Sequence, residues 1–134
     1  MDSFAFYITM LRKDFINFCS EKLSEIGVTY GQLFIIIYIG KKENCSPKEI
    51  SLALNLDAGH LNRTLIKLIE NNLISQKKNE IDKRANIVTL TEKGKNVFKM
   101  SHDLFYQWDK TILDNLTDKE KEDLLTLIKK IKMS

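Results

Sequence analysis

Apolar residues return along this chain mostly at three- and four-residue steps, with one short interval of two-residue steps. In residues 3–25, Phe4, Ile8, Leu11, Phe15 and Phe18 fall on such steps and predict a helix that Gly27 ends. A second element covers residues 30–40. Its run Leu33–Ile39 suits a buried strand as well as a helix by composition, and the capping box Thr29-Tyr30-Gly31-Gln32 before it selects helix. Ser46-Pro47-Lys48-Glu49 predicts a third helix over 47–54: Ser caps, Pro takes the first helical position, and Glu closes the box. Ile50, Ala53 and Leu54 are its expected inward residues. Asp57 can cap a fourth helix over 58–72 with a stripe of Leu61, Leu65, Leu68 and Ile69.

The period then changes. Leu73–Lys78 and Ala85–Leu90 read as two short strands, with Val88 and Leu90 on one face, joined by the polar loop 79–84 as a hairpin. Thr91 can cap a fifth helix over 92–116, and the box Thr117-Asp118-Lys119-Glu120 opens a sixth over 117–132. The fifth helix carries Val97, Phe98, Leu104, Phe105, Trp108, Ile112 and Leu116, more apolar surface than a small core needs. The expected fold class is mainly α, with a two-stranded β hairpin.

Composition narrows the class. The chain has 134 residues, 43% apolar and 29% charged, an ordinary globular balance that suits one domain. One Pro and five Gly argue against collagenous or turn-dense all-β architecture, and two cysteines are too few for a disulfide scaffold. The start MDSFAFYITM lacks the order of a signal peptide, and the longest apolar run is far short of the ~20 residues that span a bilayer. The expectation is a cytoplasmic protein with no membrane partner. The net charge of +3 is mild: residues 1–56 are balanced, 57–91 carry a net +2, and 92–134 a net +1. The middle excess alone fits a solvated lysine surface.

Spacing says more than charge. Only Asn55, Leu56 and Asp57 separate the third and fourth helices, which forces a helix-turn-helix, and the hairpin that follows makes it a winged helix. Opposite its leucines, the fourth helix carries Gly59, His60, Arg63, Lys67 and Glu70, with Asn62 on the flank. A major groove admits such a face: Asn pairs two-pronged with adenine and Arg with guanine. The Ser46 hydroxyl and the helix N-terminus can bind phosphates. A solvated helical hairpin with incidental polar residues has the same local pattern.

The hairpin tip resolves the choice. Asp82-Lys83-Arg84, followed by Val88-Thr89-Leu90-Thr91-Glu92-Lys93-Gly94, resembles the signature of the MarR family of bacterial transcription regulators. The resemblance extends over nearly the whole chain, through the Thr-x-x-Gln, Ser-Pro-x-Glu and Leu-Thr-x-x-Glu helix starts. It implies one domain, 1–134, with dimerisation helices at 1–28 and 95–134 and a winged helix-turn-helix at 29–94. In that scheme the helix-turn-helix lies at about 46–72 and the wing at 73–91. It further implies that Arg84 enters a minor groove, with Asp82 orienting its guanidinium and Lys83 beside it. A narrow minor groove concentrates negative potential and favours such a fixed planar cation. A symmetric homodimer would set two copies of the fourth helix roughly 34–36 Å apart on a near-palindromic site in double-stranded DNA. The resemblance also implies a pocket for a small aromatic effector, for which Phe15, Phe18, Tyr38 and Trp108 are candidates, although such a stripe also serves as plain core.

The chain departs from the family at Asn72, where Gly is frequent, and at Gln76, where Arg is frequent. Asn tolerates a left-handed cap, so the turn is expected to survive. Gln76 removes a cation, for which Lys77 and Lys78 can compensate. Cys19 reads as a buried free thiol and Cys45 as a loop thiol; a redox role is disfavoured. His60 and His102 have no acidic or thiol partner at ligand spacing, so neither a metal nor any other cofactor is expected. No nucleophile–base set, paired carboxylates or phosphate loop points to an enzyme. Two classes remain: a ligand-responsive DNA-binding repressor, and a winged-helix interaction module without DNA binding.

Overall fold

Five helices begin on a side-chain cap. The hydroxyls of Thr29, Ser46, Thr91 and Thr117 accept from the backbone N–H groups of Gln32, Glu49, Gly94 and Glu120, each at 3.1 Å. The Asp57 carboxylate accepts from His60 N–H at 3.0 Å. Each satisfies an orphan donor of a first helical turn. The computed structural model describes residues 2–81 and 86–131. Among them run α1 (Phe4–Ser24), α2 (Tyr30–Lys42), α3 (Pro47–Leu54), α4 (Ala58–Glu70), β1 (Ile74–Lys78), β2 (Asn86–Leu90), α5 (Glu92–Ile112) and α6 (Asp118–Lys130). The fold is mainly helical with one two-stranded antiparallel sheet, as expected.

The chain divides into two compact units, Met1–His102 and Asp103–Ser134. In the first, α2 is the hub: it packs on α1, α3 and β2, while α4 packs on α3 and β1. Leu23, Leu33, Ile36, Ile39, Ile50, Leu68 and Val88 are wholly buried. The reciprocal box at Thr29, with the Gln32 amide accepting from Thr29 N–H at 3.0 Å, fixes α2 as helix and satisfies the buried amide. Gly40 gives the Phe98 ring its place, since a Cβ there would come within 2.5 Å of the ring.

The turn between α3 and α4 is stapled. Asn55 takes a left-handed conformation (φ 52°), Leu56 N–H donates to Ser51 O at 3.0 Å, and Ser51 Oγ donates to Leu56 O at 2.6 Å. The strands pair from Ile74 opposite Leu90 to Lys78 opposite Asn86. Asn72 has φ 60°, so the left-handed turn survives in place of glycine.

Several expectations need correction. Ala53 is exposed and Leu54 half-buried, because the two-turn α3 buries only Ile50. Ile69 is 40% exposed, which narrows the α4 stripe to Leu61, Leu65 and Leu68. Glu49 does not complete the box at Ser46: its carboxylate accepts a hydrogen bond from the Ser46 hydroxyl at 3.4 Å instead of from the Ser46 backbone N–H. Cys45 is not a loop thiol but buried, exchanging two backbone hydrogen bonds with Val88 (2.8 and 3.3 Å). α4 stops at Glu70 rather than 72, and α5 at Ile112 rather than 116.

In the second unit the end of α5 turns through residues 113–117, where Leu116 N–H donates to Leu113 O at 3.0 Å. The full box at Thr117 then opens α6, which has no buried residue.

Candidate nucleic-acid interface

The outer face of α4 is set by helix geometry. With Leu61, Leu65 and Leu68 held in the core, Gly59, Arg63, Ile66, Lys67 and Glu70 fall on the opposite side, and all are exposed. Asp57 anchors the start of this helix. Its far end is clamped by the start of α5: Thr91 Oγ1 donates to Asn72 O at 2.6 Å, Lys93 Nζ to Asn71 O at 3.0 Å, and Thr91 N–H to Leu73 O at 3.1 Å. Gly94 permits the clamp, because a Cβ there would collide with the Leu73 carbonyl oxygen.

Most of the residues singled out in the sequence come together here. His60, Arg63 and Lys67 line one hollow of about 350 Å³ with Thr64, Ile66 and Glu70. Asn62 and Ser46 share a second, of about 600 Å³, with Lys48, Gln76 and Asn86. Gly59 lies beneath the Arg63 side chain: a Cβ at 59 would sit 3.2 Å from Asp57 Oδ2 and 3.4 Å from Arg63 Nη1. The missing Cβ at Gly59 leaves room for both the cap carboxylate and the guanidinium at the N-terminal end of the helix. The Ser46 hydroxyl is engaged twice by Glu49, through its backbone N–H and its carboxylate, which leaves the Ser46 oxygen beside a negative charge. Asp82, Lys83 and Arg84 lie outside the described residues. The strand leading to them presents exposed Lys77 and Lys78, and Asn79 Oδ1 accepts from Ile81 N–H at 2.9 Å as the hairpin turns.

Reasoning from the sequence missed Lys48, Asn86 and Ile66. Lys48 follows Pro47 at the start of α3, and its charge beside a capping motif was the available signal. Ile66 gave a different one, an apolar residue off the leucine stripe.

Of the aromatic candidates, Phe15 meets Tyr30 edge-to-face at 6.1 Å, and Tyr30 meets Phe34 at 4.8 Å. Tyr38 carries the Lys42 ammonium 5.9 Å from its ring centroid. Phe15, Phe18 and Tyr38, all half-buried, belong to the first unit, and Trp108 to the second. Burial pushes the Cys19 thiol up to about 11; burial, reinforced by the Glu49 carboxylate, does the same at Cys45. Both are then protonated and unreactive at neutral pH. Among the described residues no three His, Cys, Asp or Glu side chains gather to hold a metal, and no helix is long and apolar enough to cross a membrane.

A capped helix-turn-helix followed by a two-stranded wing, with a cationic outer helix, defines the winged-helix class. The family described as transcriptional regulator SarA/Rot matches residues 17–100. The HTH-type transcriptional regulator BilQ of Clostridium symbiosum is 41% identical over 129 residues, covering 96% of this chain and 90% of that protein. The crystal structure of the reduced form of MarR from Escherichia coli superposes with a TM-score of 0.87 at 28% identity, covering 97% and 96% of the two chains. A mutant of that MarR complexed with operator DNA gives 0.81 at 28% identity, covering 94% and 91%. The chain belongs to the MarR-type winged-helix transcriptional regulators. That family regulates transcription and is not one of enzymes.

Proposed function

We propose that the protein is a cytoplasmic, DNA-binding repressor that grips a near-palindromic operator as a homodimer and responds to a small aromatic effector. The observation that carries the DNA reading is the outer face of α4. Gly59, Arg63 and Lys67 are exposed, they have no part in the core, and both ends of their helix are clamped. α4 enters a major groove with Asn62 and Arg63 toward base edges and His60 beside them, while Lys67 and the Ser46 end of α3 face phosphates. The wing residues Asp82, Lys83 and Arg84 take the adjacent minor groove, Arg84 inserted. The operator complex of the related MarR supports this mode, and it disfavours an interaction module without DNA.

The dimer rests on residues 1–28 and 95–134, flanking the winged segment 29–94. Its support is the apolar surface α1 leaves to solvent: Phe4, Tyr7 and Met10 are each more than half exposed. The effector acts by favouring one spacing of the two α4 helices over another, which requires unequal affinity for the two states. Phe15, Phe18, Tyr38 and Trp108 are the residues to alter in tracing it.

Selection of bound duplexes from random DNA tests the whole reading. The expected product is an inverted repeat, bound with affinity that falls steeply as salt rises. Arg84→Ala weakens binding with the fold intact, and Arg63→Ala loses preference at particular base positions. Indifference to every duplex in dilute buffer would sink the proposal; a uniform loss on Arg63→Ala would make Arg63 a phosphate contact.

A further inference from the structure

Four large aliphatic side chains of the segment 29–94 are exposed among the described residues: Leu52, Ile66, Ile69 and Ile81. Leu52 lies on α3 and Ile81 at the hairpin tip. Ile69 sits beside the leucine stripe of α4. Ile66, 55% exposed, is different: it stands among Arg63, Lys67 and Glu70 on the outer face. It lines both hollows that flank the helix, the one with Asn62 and Gln76 and the one with Arg63 and Lys67. It is therefore the crest between them on the exposed face of α4.

An isoleucine there is poorly explained by the free protein. A β-branched residue is a weaker helix former than the lysines and glutamates that suit an exposed position. More than half of its surface stays in water, so burial within the chain repays only part of its hydration. The major groove offers one apolar group among its donors and acceptors, the C5-methyl of thymine. We propose that Ile66 packs against that methyl and sets a thymine preference in the bound sequence. The proposal rests on the DNA-binding reading above. Ile66 lies three and four residues beyond Arg63 and Asn62, about 4.5–6 Å along the helix axis. The thymine is then within about two base pairs of those that Asn62 and Arg63 read.

The test replaces each thymine of the selected duplex singly by deoxyuridine, which deletes only the methyl, and measures binding by the wild type and by Ile66→Ala. Burial of one methyl corresponds to about a fourfold change in affinity. The wild type is expected to lose about fourfold at one thymine position of each half-site. Ile66→Ala loses nothing there, keeps any response at other positions, and in a fresh selection no longer enriches thymine at that step. Ile66→Thr, which keeps the branched shape but puts a hydroxyl at the crest, guards against a folding artefact, and circular dichroism of both variants should match the wild type. A uracil profile identical for wild type and Ile66→Ala, or a wild type insensitive at every thymine, overturns the assignment while leaving operator binding in place. Failure to select any duplex removes the DNA-binding reading itself, and the assignment with it.

Discussion

α1 and α2 are both apolar helices, and they dispose of their apolar residues in opposite ways. α2 buries Leu33, Ile35, Ile36 and Ile39 within its own chain, together with the satisfied Gln32. α1, eight residues longer, buries only Cys19 and Leu23, and leaves Phe4, Phe6, Tyr7, Ile8, Met10 and Leu11 at least 40% exposed. The winged elements thus find their apolar partners within the first unit, the second half of α1 included, whereas the first half of α1 leaves its large apolar side chains to solvent. α6 goes further: nothing in it is buried, and Leu125 and Leu127 are both more than half exposed. Exposed apolar side chains in this number fit the dimer proposed above.

The comparison breaks first if the buried leucines do not hold the winged part. Leu68→Ala removes a wholly buried side chain from the inner face of α4. It should cost about 2–5 kcal/mol of stability, read as a lower denaturant midpoint, and should abolish DNA binding through loss of the helix. A cost near zero would mean that the leucine stripe does not hold α4.

Met10→Asp probes the other side of the contrast. Met10 is 54% exposed within one chain, so the charge should leave the helical signal of the fold untouched. It should weaken subunit association by about tenfold, roughly 1.4 kcal/mol, visible as a shift toward monomer in sedimentation at low concentration. Unaltered sedimentation would assign the α1 surface to something other than a second copy.

The smallest effect is one of pH. Cys19 lies on the inner side of α1 and Cys45 beside the wing, and burial raises both thiols from 9.0 to about 11. Above pH 9 the unfolded chain releases these protons while the folded chain keeps them. Their contribution to stability is therefore complete below pH 9 and is lost as pH climbs from about 9 to about 11. Unfolding curves across that range should show a falling midpoint, and Cys19→Ser should reduce the slope. At pH 8 a thiol reagent should label both cysteines only as the protein unfolds. Rapid labelling of Cys19 alone would place the second half of α1 outside the buried core.

What could be read from the residues alone follows the range of the forces involved. The caps at Thr29, Asp57, Thr91 and Thr117 act over three residues, so their motifs declared them, and Asn72 kept its turn for the same local reason. Local motifs reported less well on partners distant in sequence. Cys45 looked like a loop residue because its backbone partner, Val88, lies far along the chain. The end of α5 was hidden because Leu113 and Leu116 continue the apolar spacing through the turn. At the candidate interface, Arg63, Lys67 and Asn62 were legible as polar residues opposite a leucine stripe. Ile66 was not, because a search for polar chemistry passes over an aliphatic side chain. Only the shape of the surface shows that it stands at a crest.

The paired hydrogen bonds between Cys45 and Val88 have a mechanical consequence. They join the residue before the Ser46 cap to the middle of β2, so the hairpin is stitched to the front of the helix-turn-helix as well as to its rear through Leu73 and Thr91. The paired strands are therefore fastened to the polypeptide both before α3 and after α4. A pull on β2 would reach the start of α3 and the end of α4 together, as through a single lever.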